Sequence, residues 1–127
     1  MIDSTISTEL RKRLRDCIQT GDGQYTCAVD FDPAFTGFDG HFEGNPIVPG
    51  VCLIELARVH AESALGCRLK TEEICQCRFR SPVPAGMTAS VKLQVCKLDD
   101  THFRLQSEIR ADGNIACQVR LKTEILP

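Results

Sequence analysis

Hydrophobic positions set out two periods along this chain. From Thr8 to Thr20, Leu10, Leu14, Cys17 and Ile18 recur at the spacing of one helical face. Ser7 or Thr8 can cap its start, and Gly21 to Gly23 end it. The period then changes to two: Tyr25, Cys27, Val29 and Phe31 alternate with Gln24, Thr26, Ala28 and Asp30, which predicts a first strand over 24–31. Between Asp32 and Pro49 neither period holds. Phe, Gly, Asp and Pro dominate there, and a long ordered loop of this kind often carries function.

The next segment is apolar almost all round. Val51, Cys52, Leu53, Ala57, Val59, Ala61, Ala64 and Leu65 are interrupted only by Glu55, Arg58, His60, Glu62 and Ser63, which predicts a helix with little polar face. Pro49, with its fixed φ, suits the first turn, and Gly66 closes the helix. Everything after Gly66 reads as sheet. Strands are expected over Leu69–Phe79 and Thr88–Leu98, with Asp99 and Asp100 turning the chain back. A third runs from Phe103 to Ala111, Asp112-Gly113 makes a tight hairpin, and a last strand follows from Ile115 to Ile125. One apolar helix inserted into a hairpin-connected antiparallel sheet implies an α+β domain whose curved sheet wraps around a central helix. The expected organisation is a single domain over 1–127, with an N-terminal amphipathic helix in 1–22 and the core in 23–127.

Composition narrows the partners. Lys and Arg number 15 against 17 Asp and Glu, so no global field draws the chain to nucleic acid or to an anionic membrane. No run approaches the about 18 apolar residues of a spanning helix, and the N-terminus lacks a signal-peptide core, so the expected location is the cytoplasm. Eight cysteines are many, but they are scattered through apolar patterns without zinc-site spacing. They read as buried reduced thiols, with Cys75 and Cys77 on one strand face, and no metal or cofactor is expected.

The candidate chemistry lies in GHFEGNPIVPGVCLIE. His41 precedes a turn punctuated by Pro46, Pro49 and Gly50, and Glu55 stands one and a half turns into the apolar helix. Burial there disfavours a charged carboxylate, which is how a glutamic acid keeps a proton to donate near neutral pH. Histidine, with a pKa near working pH, is the natural base. Free amides at the helix N-terminus, at a glycine that permits close approach, offer donors to a developing oxyanion.

This segment resembles the active-site segment of the hot-dog-fold β-hydroxyacyl-acyl-carrier-protein dehydratases: a histidine followed by Phe, a Pro-x-x-Pro-Gly turn, and an acidic residue fourteen positions on, as with His41 and Glu55. RFRSPVPAG, Arg78 to Gly86, is similar to the family's second segment. The resemblance implies a hot-dog fold and dehydration of 3-hydroxyacyl thioesters in fatty acid or related acyl-chain synthesis, without a cofactor. His41 would be the base, Glu55 the acid, the Gly50 amide the oxyanion donor and the Ile47 carbonyl the group that orients the histidine. Phe42, Pro49, Val51 and Phe79 would line the substrate, and Arg78 and Arg80 would dock an acidic acyl carrier protein. It also implies sites shared between the subunits of a homodimer, or of an assembly of dimers. A glutamate in place of aspartate resembles the branch that dehydrates without isomerising.

Other readings stay open. Glu55 alone suits a hot-dog thioesterase, or it can merely pair with Arg58 across one turn. A catalytically silent acyl-binding subunit is a third possibility. His60 reads as helix surface or dimer contact, and His102 as a turn residue. Phe31, Phe35, Phe38 and Phe42 pack the core or line an acyl tunnel. Arg11, Lys12, Arg13 and Arg15 form a solvated helix face that can receive an acidic partner.

Overall fold

In the computed structural model, which describes residues 5–35 and 46–127, helix α1 (Thr5–Arg13) leads into strands β1 (Leu14–Gly21) and β2 (Gln24–Phe31). Helix α2 (Gly50–Leu65) follows, then β3 (Leu69–Phe79), β4 (Met87–Lys97), β5 (His102–Ala111) and β6 (Asn114–Ile125). The strands form one sheet in the order β1-β2-β4-β5-β6-β3, and every pairing is antiparallel. Leu53, Leu56, Ala57, Val59 and Ala61 of α2 share one core with Val29, Phe31, Val91, Leu105, Ile109 and Leu121 of the sheet. This is the α+β arrangement of a helix held by a curved sheet that the sequence pattern implies. Among the described residues, no helix is long and apolar enough to cross a membrane.

Local chemistry explains both ends of α2. Pro49 caps its start with φ −60° and ψ 144°, and its carbonyl accepts from the Cys52 amide at 2.9 Å. Gly66 ends the helix in the left-handed region at φ 68° and donates its N–H to the Glu62 carbonyl, a geometry that costs glycine little. The alternating strands also fall as expected. In β4, Ala89, Val91 and Leu93 are buried while Thr88, Ser90 and Lys92 are exposed. Phe31 and Phe35 pack edge to face in the core, their centroids 5.2 Å apart.

The N-terminal helix is shorter than its periodicity suggests. Residues 14–21 are not helical but form β1, antiparallel to β2. Leu14, Cys17 and Ile18 keep helical spacing, but only Leu14 packs against the core, while Cys17 is exposed and Ile18 is 59% exposed, so the core rewards little of that stripe. Pairing with β2 instead satisfies the backbone. A register shift between Arg15 and Ile18, with Asp16 at φ 54°, marks a bulge. Expectations about the thiols also need correction. Cys27, Cys52 and Cys117 are buried and free, but Cys17, Cys75 and Cys96 are exposed. Cys75, at a register shift of β3 against β6 between Ile74 and Gln76, is exposed where Cys77 is half-buried. Burial pushes Cys27 and Cys117 up to about 12 and Cys52 up to about 11, which leaves these three without thiolate character.

His60 is not a surface residue: it is 1% exposed, and its Nδ1 has no hydrogen-bond partner among the described residues. Burial lowers its pKa from 6.5 to about 4. Between those values the unfolded chain binds the proton and the folded chain does not, so stability falls as pH drops through that window. The full loss is on the order of 3 kcal/mol. Urea unfolding of wild type should show this decline from about pH 6.5 to about pH 4, and His60→Phe should flatten it. An equal acid decline in both proteins assigns the effect to other groups.

Candidate active site

The two sequence segments singled out above meet in space. The Val48 amide donates to the Val83 carbonyl at 2.8 Å and the Ala85 amide to the Pro46 carbonyl at 3.0 Å, around an antiparallel bridge between Ile47 and Pro84. Those bonds use groups of Pro46 and Val48. In a bridge of this type the central residue's own carbonyl points away from the pairing, so that of Ile47 faces the other side. The chain then enters α2 at Gly50, against which the ring of Phe79 lies. A Cβ at residue 50 would lie 2.6 Å from Phe79 Cζ, so only glycine lets the ring lie this close. Phe79 and Val51 remain 55% and 65% exposed, and Pro49 is half-buried. Together they make an apolar rim around the first-turn amides, where the helix dipole is positive.

Glu55 sits in a polar network rather than in an apolar pocket. Its Oε2 accepts from the Ser7 hydroxyl at 2.8 Å and from Arg58 Nη2 at 2.7 Å. That corrects the expectation of a carboxylate without compensation: the pairing with Arg58 across one turn is present. Arg58 Nη2 also donates to the Ser7 hydroxyl at 2.8 Å. Its Nη1 reaches Glu62 Oε2 at 3.0 Å and donates to the Leu69 carbonyl at 3.4 Å. Glu62 in turn accepts from Arg11 Nη2 at 3.0 Å and from the Leu69 amide at 2.7 Å. Arg58, Glu62 and Ser7 are buried, while the Glu55 side chain keeps 23% of its surface. The charged residues that interrupt the apolar helix therefore face α1.

Ser7, Arg58 and Glu62 were not singled out as site residues by sequence reasoning, although a signal existed. Glu55, Arg58 and Glu62 stand at i, i+3 and i+7, one stripe on a helix, and Ser7 and Arg11 stand at i and i+4 on another. Two short polar stripes on neighbouring helices, alternating in charge, fit each other.

The remaining candidates divide. His41 and Phe42, with Phe38, lie outside the described residues. Phe31 and Phe35 are core. Arg78 is exposed on β3, and Arg80 is exposed just beyond it, where its Nε meets Gln118 Oε1 at 3.2 Å. The basic run near the N-terminus is largely engaged: Arg11 with Glu62, Arg13 with Glu9 and Asp32, Arg15 with Asp16 and Asp30. Hydrogen bonds from Arg15 and Arg13 hold Asp30 and Asp32 below the usual carboxylate range. Arg13 and Arg15 are therefore spoken for by acids of this chain, whereas Arg78 and Arg80 are exposed and, among the described residues, not in an ion pair of that kind. A concavity of about 750 Å³, lined in part by Gln76, Gln94, Gln106 and Arg120, includes none of Gly50, Glu55 and Phe79.

His102 opens β5 beside the Asp99 turn, as expected. Its Nδ1 lies 2.8 Å from Asp99, and its Nε2 faces Glu72 at 3.2 Å and Glu124 at 3.5 Å. Hydrogen bonding to Asp99 raises the His102 pKa. The Thr101 amide and His102 bring Asp99 down to about 2. Glu72, His102 and Glu124 are the side chains among the described residues whose ligand atoms come close enough to hold a metal ion. They lie on β3, at the start of β5 and on β6, whereas Gly50 and Glu55 lie on α2.

Comparison with known proteins agrees with this architecture. The ApeI-like family, described as ApeI dehydratase, matches residues 17–120. The 3-hydroxyacyl-acyl-carrier-protein dehydratase FabZ of Bacillus pumilus is 32% identical over 100 residues, covering 71% of this chain and 67% of that protein. Among solved structures, the dehydratase heterocomplex ApeI:P from Xenorhabdus doucetiae aligns with a TM-score of 0.71 at 21% identity, over 87% of this chain and 96% of that one. A hypothetical thioesterase with coenzyme A from Streptococcus pneumoniae aligns at 0.67 and 12% identity, over 95% and 94%. At such identities these two structures speak for the fold alone. With the family match spanning α2 and most of the sheet, and a dehydratase relative matching over two thirds of its own length, the chain belongs to the ApeI-like, FabZ-related family of hot-dog-fold dehydratases.

Proposed function

We propose that the chain removes water from 3-hydroxyacyl thioesters, giving trans-2-enoyl thioesters in fatty acid or related acyl-chain biosynthesis, and that it does so as a homodimer. The observation that carries this reading is the placement of Gly50 and Glu55 on the first turns of one helix, behind a rim of Pro49, Val51 and Phe79. The substrate carbonyl would take the Gly50 amide as its oxyanion donor, in a position where the dipole favours negative charge. His41, oriented by the Ile47 carbonyl, takes the C2 proton. The C3–O bond then breaks as Glu55, carrying its proton on the oxygen that Ser7 and Arg58 do not engage, supplies it to the hydroxyl, which leaves as water. Transfer of the proton from His41 to Glu55 through solvent resets both groups. Half-exposed Ile74 and Phe79 lie on β3, which among the described residues pairs only with β6 and so offers an edge on which a second subunit can bury apolar surface.

The carrier reading follows from charge. The chain is nearly neutral, so an acidic acyl carrier protein needs a local basic site, and Arg78 and Arg80 are exposed beside the Phe79 rim. Arg78→Glu or Arg80→Glu should slow association with a carrier-linked substrate, most strongly at low salt, and leave a short soluble thioester analogue nearly unaffected. Equal loss on both substrates assigns the arginines to fold or site. No loss on either, with coenzyme A thioesters preferred, assigns the enzyme to a coenzyme A pathway.

The Arg58–Glu55 pair favours a second reading, hydrolysis, because a carboxylate held between donors can orient water toward a thioester carbonyl. Incubation with a 3-hydroxyacyl thioester, followed by separate detection of enoyl product and free thiol, tests the two. Enoyl without thiol supports dehydration, thiol without enoyl supports hydrolysis, and neither leaves only an acyl-binding subunit.

A further inference from the structure

We infer that α1 is part of the catalytic machinery: Ser7 and Arg58 are positioning residues that set the carboxylate of Glu55. This rests on the proposed role of Glu55 and goes beyond it, because α1, Thr5–Arg13, lies wholly before residue 17, where the family match begins. The helix is not a loose appendage. Leu10 is 0% exposed, and so is Ser7.

Geometry makes the coupling specific. Ser7 Oγ, Arg58 Nη2 and Glu55 Oε2 close a three-membered ring of contacts at 2.8, 2.8 and 2.7 Å. The hydroxyl donates to the carboxylate and accepts from the guanidinium, so its orientation is fixed from both sides. Arg58 is anchored from behind by Glu62 at 3.0 Å, and Glu62 is pinned by Arg11 of α1 and by the Leu69 amide. Both ends of α1 therefore tie into the helix that carries Glu55. The bonds engage Oε2 of a side chain that keeps 23% of its surface, so the rotamer is held while part of the group stays accessible. Fixed rotamers of this kind matter because a small misplacement of a catalytic group can cost on the order of 10²-fold in rate.

The test is a double-mutant cycle on turnover, with Ser7→Ala made in the wild-type and Glu55→Gln backgrounds and thermal stability recorded for each. Ser7→Ala should lower kcat about tenfold with KM nearly unchanged, since it removes one positioning contact. In the Glu55→Gln background it should lower kcat no further. Arg58→Lys keeps the charge but loses the two-pronged geometry, and it should show the same dependence on Glu55. An equal fall in both backgrounds makes Ser7 a structural residue and overturns the inference, as does an unchanged kcat in Ser7→Ala. Wild-type turnover by Glu55→Gln alone removes the role of Glu55 itself, so failure of the underlying reading is seen separately.

Discussion

Glu55→Gln and His41→Ala should each lower dehydration by on the order of 10² to 10⁴ while the protein stays folded. Glutamine keeps the shape of Glu55 and can still accept from Ser7 and Arg58, but it cannot exchange a proton with the leaving hydroxyl. Alanine at 41 removes the group that takes the C2 proton. The loss should appear in kcat and in kcat/KM alike, because each contribution is made in the transition state rather than in ground-state binding. Steady-state kinetics on a 3-hydroxyacyl thioester measures it. Near-normal turnover by either variant removes that residue from the mechanism.

The second large effect is on stability. The side chains of Arg58 and Glu62 are only 4% and 6% exposed and lie 3.0 Å apart. Removing Arg58 takes the buried cation from between Glu55 and Glu62 and leaves Glu62 to Arg11 and the Leu69 amide; breaking a buried pair in this way costs up to about 3–5 kcal/mol. Arg58→Leu should therefore lower the unfolding free energy by about that much, and it should also loosen α1 from α2. Replacing both partners, as in Arg58→Leu with Glu62→Leu, should recover part of the loss, because the charges then left without their partners, Glu55 and Arg11, keep 23% and 40% of their side-chain surface. Chemical unfolding of the three proteins decides it. If the double variant is no more stable than Arg58→Leu, the network is not held by this pair.

Much of the fold was legible because its signals are local. Pro49 and Gly66 bracket α2 for reasons contained in those two residues, and period-two alternation placed β2, β4, β5 and β6 within a residue or two. β1 was missed because Leu14, Cys17 and Ile18 carry helical spacing, while strand pairing depends on a neighbour that sequence periodicity does not contain. His60 was misjudged for a related reason. A polar residue on an apolar helix reads as a surface position until another element covers it, and Cys17, Ile18 and Gln19 of β1 line the same concavity as His60. The site shows the same division. The order His41, Gly50, Glu55 is written in the chain, but the approach of Ser7 to Glu55 joins residues 48 positions apart. That contact follows from packing, which no single segment encodes.

The central claim is that water is removed from, or reversibly added to, C3 of the acyl chain while the thioester stays intact. Incubating the protein with a trans-2-enoyl thioester in heavy-oxygen water, and locating the label by mass spectrometry, tests it most directly. This account predicts label in the C3 hydroxyl of an intact 3-hydroxyacyl thioester, abolished by Glu55→Gln. Label in the carboxylate of a released free acid, with none at C3, would contradict it.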